Sequence, residues 1–112
     1  TPWFYDWAFN RQRGTEIKKH WDLIPIAIGT ASTDVLITHG PPKNILDLCK
    51  NGERVGCSDL LEKINQVKPR IHIFGHIHES YGRIKIGEME FVNASVLDER
   101  YELVNEAVEI EI

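Results

Sequence analysis

Arg70-Ile71-His72-Ile73-Phe74-Gly75-His76-Ile77-His78-Glu79 decides how the rest of this chain is read. Ile71 to Phe74 is a short apolar run between a proline and a glycine, the pattern of a strand buried in a sheet. Two imidazoles, His76 and His78, stand one residue apart where that strand gives way to a loop. Such a pair suits borderline metal ions, and Gly75 lets the backbone turn there or approach a neighbour closely. His72 sits within the strand, is set to point into a sheet face, and reads as a core residue.

Upstream, Asp34-Val35-Leu36-Ile37-Thr38 followed by His39-Gly40-Pro41-Pro42 repeats the design. A β-branched run reads as a second buried strand, and His39 stands at its C-terminal end. Between the two strands, Ser58 to Val67 predicts a helix. Ser58 is its N-cap, Leu60, Leu61, Ile64 and Val67 are its apolar stripe, and Pro69 stops it. Strand, helix and strand make a β-α-β unit, which places the two strands parallel with their C-terminal ends on one edge. Ligands bind at that edge in open α/β sheets, so His39, His76 and His78 are expected to converge there. Asn44 to Gly56 is a long connection with an Asn51-Gly52 turn signal, a length that suits a lid or substrate loop.

The flanks complete an α/β reading. Thr15 to Ile24 predicts a helix capped by Thr15, with Ile17, Trp21 and Ile24 on its apolar face and His20 in solvent. Gly29 to Thr33 reads as a linker, and Trp3, Phe4, Tyr5, Trp7 and Phe9 as an extended aromatic lid on the core. Arg83 to Ile86 and Glu90 to Val92 alternate around Gly87-Glu88 as a hairpin. Val108 to Ile112 alternates as a half-exposed antiparallel strand. The sheet is therefore expected to be mixed: a β-α-β unit, then antiparallel strands.

The 112 residues make one domain or part of one. A net charge of −4 and no Lys/Arg run exclude a nucleic-acid patch. No apolar stretch approaches the roughly 20 residues of a membrane span, and no signal peptide is evident, so a cytoplasmic location is expected. Cys49 and Cys57 lack the Cys-x-x-Cys spacing and read as free thiols of a reducing compartment. The chain starts at Thr1 and its one methionine is Met89, so a processed, trimmed or excised piece of a longer chain is expected.

Imidazoles accept Zn, Mn or Fe. A bound cation lowers the pKa of its water to about 7, and two cations about 3.5–4 Å apart clamp a phosphoryl displacement. Two cations need a bridging carboxylate and further ligands, yet the sequence holds no Asp-x-His and no Gly-Asp. The chemistry alone describes half a site.

These residues resemble a known family. Gly75-His76-Ile77-His78 matches the closing Gly-His-x-His signature of calcineurin-like metallophosphoesterases, and His39 matches the single-His motif that precedes it. The resemblance to one branch, the metallophosphoesterase-domain-containing proteins similar to class III cyclic-nucleotide phosphodiesterases, covers nearly the whole chain. It runs through Thr1-Pro2-Trp3-Phe4, Trp7-Ala8-Phe9-Asn10, Arg13-Gly14, Ile37 to Pro42, Val55-Gly56-Cys57, Phe74 to Glu79 and Val92-Asn93-Ala94-Ser95. It implies that residues 1–112 are the C-terminal part of one domain, half of a four-layer α-β-β-α sandwich with a dinuclear site. His39 and His76 would hold one divalent metal ion (Mn, Fe or Zn) and His78 the other. Asn93 and Glu79 would support ligands by hydrogen bonds, and no catalytic acid or base is assigned in this chain. The Asp-x-His, Gly-Asp and Gly-Asn-His motifs, the last carrying a His that assists the leaving group, lie outside it. The implied function is hydrolysis of a phosphate ester, with a nucleotide among the candidate substrates, by metal-bound hydroxide. The missing motifs would come from an N-terminal half or a complementing chain. The alternative is a non-catalytic fragment, or a mononuclear three-His metal-binding or interaction module. Asp34 and Asp98 read as solvated loop residues.

Overall fold

A computed structural model describes Pro2, residues 10–26 and residues 32–112. The expected aromatic lid from Trp3 to Phe9, and Gly29 to Ala31 of the expected linker, lie outside the described residues. Two helices, α1 (Thr15–Trp21) and α2 (Ser58–Val67), accompany four strands: β1 (Val35–Ile37), β2 (Ile71–Phe74), β3 (Gly82–Ile86) and β4 (Met89–Asn93). The sheet order is β1-β2-β4-β3. β1 pairs β2 in parallel with Val35 opposite Ile71 and Ile37 opposite Ile73. β4 joins the other side of β2, also parallel, and β3 closes as an antiparallel hairpin partner of β4. The fold is the expected mixed α/β sheet with α2 as the crossover, compatible with half of a metallophosphoesterase sandwich. No helix among the described residues is long and apolar enough to cross a membrane.

One face of the sheet makes the core. Leu36, Phe74 and Phe91 pack with Leu60 and Ile64 of α2 and Ile17 of α1. Each such fully buried side chain contributes roughly 1.5–3 kcal/mol of transfer free energy. Both helices are capped one residue earlier than expected, so that Thr15 and Ser58 are their first helical residues. Gly14 precedes α1 and Cys57 precedes α2, and neither makes a side-chain cap bond. The start of α2 is instead fixed by backbone pairing: Cys57 N donates to Pro41 O at 3.0 Å and Lys43 N donates to Cys57 O at 3.1 Å. α1 also ends three residues short of Ile24; Leu23 and Ile24 continue in tight turns, and Ile24 still packs against the core.

Residues 44–56 form a folded loop rather than an open lid. The Asp47 carboxylate is fully buried inside it. It accepts hydrogen bonds from Asn44 N at 2.9 Å, Gly56 N at 3.0 Å and Arg54 Nη1 at 2.9 Å. A buried charge persists only when paired and bonded in this way. The Asn51-Gly52 turn forms at the tip, with Gly52 N bonded to Cys49 O.

Val108–Ile112 is not a strand. Its alternation describes burial from Val108 to Glu111, where Val108 and Ile110 are half-buried and Glu109 and Glu111 exposed; Ile112 is exposed. The segment is held by side chains, through Arg83 Nη1 to Glu109 O and Tyr81 Oη to Glu106 O, and not by a backbone ladder. Period two reports which side is covered, not whether an edge is available to pair with.

Two buried polar side chains tie the sheet to its loops. Asn93, the fully buried last residue of β4, donates through Nδ2 to Ile77 O at 2.8 Å and Leu46 O at 3.2 Å. Its Oδ1 accepts from Ser95 N and Ser95 Oγ. His72 of β2, also fully buried, stacks near Phe74 and Phe91. Thr38 Oγ1 donates to Gly40 O at 2.7 Å, so it has no proton left for the ring and accepts from His72 Nε2–H at 2.9 Å. His72 Nδ1 is left buried as a lone pair with no partner among the described residues. Burial pushes this imidazole down to about 3.

Three outcomes follow for the folded protein. A Cβ at Gly56 would lie 2.2 Å from Pro42 O, so Gly56→Ala should lower stability by at least about 1–3 kcal/mol in denaturant unfolding. Asn93→Asp keeps shape but turns an acceptor toward two carbonyl oxygens, and should cost about 1–3 kcal/mol for each donor bond lost. His72 should stay neutral in NMR pH titrations down to about pH 3. Below the unfolded value of about 6.5 the unfolded chain takes up this proton and the folded chain does not, so the site removes up to roughly 1.4 kcal/mol of stability per pH unit as pH falls toward 3.

Candidate metal centre

Backbone pairing carries the sheet's register past the strand ends. Thr38 N donates to Ile73 O at 3.0 Å, Gly75 N donates to His39 O at 3.0 Å, and Ala94 N donates to Phe74 O at 2.8 Å. The loops after β1, β2 and β4 therefore leave the sheet side by side. Gly75 sits close to β4's exit, where a Cβ would lie 3.3 Å from Ser95 Oγ. The left-handed residue is the next one: His76 has φ 72°. That conformation is uncommon for a residue with a side chain and costs on the order of 1–3 kcal/mol. It is held by Asn93, whose amide fixes the carbonyl of Ile77 just beyond it.

This geometry brings His39 and His76 together. Their ring centroids are 4.7 Å apart at a tilt of 49°. His39 Nε2 and His76 Nδ1 approach to 3.1 Å. Two imidazole nitrogens about 2.0–2.1 Å from one tetrahedral ion would lie roughly 3.3–3.4 Å apart, so the pair fits a shared cation with little movement. Both imidazoles are shifted toward the neutral form that binds metal. Burial lowers His39, and burial followed by the neighbouring His39 and His78 rings lowers His76.

His78 is held separately, at the start of a short 3-10 helix (His78–Ser80). Its Nδ1 lies 2.7 Å from the backbone carbonyl of Asp98, which only accepts, so Nδ1 carries the proton and the neutral ring presents Nε2 as its lone pair. A bond of this kind is how ligating histidines are oriented. The Tyr101 ring packs edge-on against it at 5.5 Å. Glu79 is not turned toward His78: its Oε1 accepts from Lys50 N at 3.4 Å. Asn93 touches backbone on both sides of the His loop. Asp34 is exposed, and the Asp98 carboxylate caps its own turn. His20, expected in solvent, accepts from Arg11 Nε at 3.0 Å. With His39 it lines an open cavity of about 230 Å³, together with Arg11, Ile17, Trp21, Ile37 and Thr38. Among the described residues no group of three or more His, Cys, Asp or Glu side chains is gathered closely enough to hold a metal ion. The roles of Asp47 and of Asp98's carbonyl carried no signal in the sequence; both depend on backbone groups that only the folded loops supply.

No protein-family model matches the chain. It is 46% identical over 113 aligned positions, 99% of its length, to metallophosphoesterase domain-containing protein 1 of Homo sapiens, and equally to that of Mus musculus. It is 42% identical along its whole length to UPF0046 protein T07D4.2 of Caenorhabditis elegans. The chain spans 33% of the mammalian relatives and 28% of the nematode one, about a third of their length. Histidines at parallel strand ends and near-complete alignment at this identity agree: over its length the chain is similar to the metallophosphoesterase domain-containing proteins.

Proposed function

We propose that this chain supplies the C-terminal metal ligands of a phosphoesterase, acting on phosphodiesters with nucleotides among the substrates. The observation that carries the reading is the 3.1 Å approach of His39 Nε2 to His76 Nδ1 across two parallel strand ends. His39 and His76 hold one divalent ion, and His78, through Nε2, holds a second; Mn, Fe and Zn all suit imidazole. Bound there, the cations supply Lewis-acid polarisation of phosphoryl oxygens and an activated water. The chain's own part is positional. The left-handed turn at His76 aims Nδ1 at His39, the Asp98 carbonyl fixes the tautomer of His78, and Asn93 holds the loop between them. The bridging carboxylate and the remaining ligands come from the rest of the parent domain, or from a complementing chain. Free Cys49 and Cys57 suit a reducing, cytoplasmic setting.

One observation favours a second reading, a metal-binding or interaction module without activity of its own: no third ligand joins His39 and His76 among the described residues. The intact protein separates the two. With Mn²⁺ it should hydrolyse bis-p-nitrophenyl phosphate and bind two ions. His39→Ala, His76→Ala and His78→Ala should each abolish turnover and weaken metal binding by at least about 10–100-fold, the range that loss of a merely supporting partner produces. Unchanged metal affinity and turnover in His78→Ala would sink the ligand assignment, and one ion per intact chain without hydrolysis would favour the module.

A further inference from the structure

The turn that faces His78 is built around a single side chain. Asp98 lies 20 residues beyond His78. Its Oδ1 accepts from Arg100 N at 2.8 Å and Glu102 N at 3.0 Å, and its own N–H donates to Glu102 O at 2.9 Å. The carboxylate thus folds residues 98–102 into a closed loop, sealed behind by the Leu97–Leu103 bridge. The product of that folding is the direction of one carbonyl. Asp98 O receives Tyr101 N–H at 3.0 Å and His78 Nδ1–H at 2.7 Å. Tyr101 adopts φ 62°, and its ring lies edge-on to the imidazole at 84°. Glu99 pairs with Lys50, which ties the turn to the 44–56 loop.

We propose that Asp98 is a positioning residue for His78: its carboxylate caps the turn that aims its own backbone carbonyl at Nδ1, fixing the tautomer that leaves Nε2 as the lone pair. This rests on the reading of His78 as a metal ligand. A backbone carbonyl bonded to the ligating imidazole is a common device; here a carboxylate in turn sets the direction of that carbonyl. An Asp side chain suits it because its short stem returns to backbone N–H groups two residues ahead.

The test uses the intact protein, with long-range ¹H–¹⁵N NMR of labelled histidine in the metal-free state and Zn²⁺ titration of the same samples. Wild type should show His78 as the Nδ1–H tautomer. Asp98→Asn keeps the Oδ1 acceptor and should keep both the tautomer and Zn²⁺ affinity within about threefold. Asp98→Ala should shift His78 toward the Nε2–H tautomer and weaken Zn²⁺ binding about 10–100-fold. If Asp98→Ala does not fold, Asp98→Ser, which retains a shorter acceptor, should give an intermediate shift. Zn²⁺ uptake by wild type with a tautomer insensitive to Asp98 would overturn the positioning role alone. A tautomer under Asp98 control in a wild-type protein that takes up no Zn²⁺ would overturn the metal reading, and with it any purpose for the positioning.

Discussion

The parallel register between β1 and β2 is the constraint on which the site depends. His39 and His76 are 37 residues apart in the chain and have no local reason to meet. They meet because Ile37 lies opposite Ile73 and the hydrogen bonding runs on through Gly75 N to His39 O. Slipping β1 against β2 by one residue would turn Leu36 away from the core face it shares with Phe74. The hydrophobic core therefore specifies the histidine pair indirectly. Leu36, Phe74 and Phe91 decide which residues stand level at the sheet edge.

A sheet edge alone would leave its loops loose. Here the loops are bolted down by buried polar side chains with fully used donors and acceptors. Asp47 closes the 44–56 loop on itself, and Asn93 joins that loop to the His loop by bonding Leu46 O and Ile77 O with one amide. Each of those carbonyls sits beside a left-handed residue, Leu46 itself at φ 47° and His76 at φ 72°. Such conformations persist where the surroundings over-determine them. The Asn93 amide does so for both loops at once. The Thr38 hydroxyl, held between His72 Nε2 and Gly40 O, braces the turn that carries His39.

Much of this was legible in the sequence where the signal is local and periodic. α2, β2 and the hairpin came from apolar spacing bounded by Pro69, Gly75 and Gly87. The parallel pairing came from the helix lying between two short β-branched runs. The failures share a cause. Side chains predict helix caps at Thr15 and Ser58, whereas backbone bonds around Cys57 and the turn at Gly14 set the starts. The alternation of Val108–Ile112 predicts a strand but reflects only which side is covered. Asp47, Asn93 and Asp98 act by bonding backbone atoms brought together by folding. A residue letter shows that a carboxylate is present, but not that three N–H donors will surround it.

The same limit explains why the Gly-His-x-His spacing says less than the structure does. In a continued strand, His76 and His78 would project to one face, and the natural reading of the pair would be a chelate on a single ion. The left-handed turn at His76 breaks that alternation. One imidazole leaves toward His39 and the other toward the carbonyl of Asp98. Two histidines one residue apart thus become members of two separate constellations, each completed by a different loop. The proposed two-cation site would need this division, and the turn at a single backbone angle provides it.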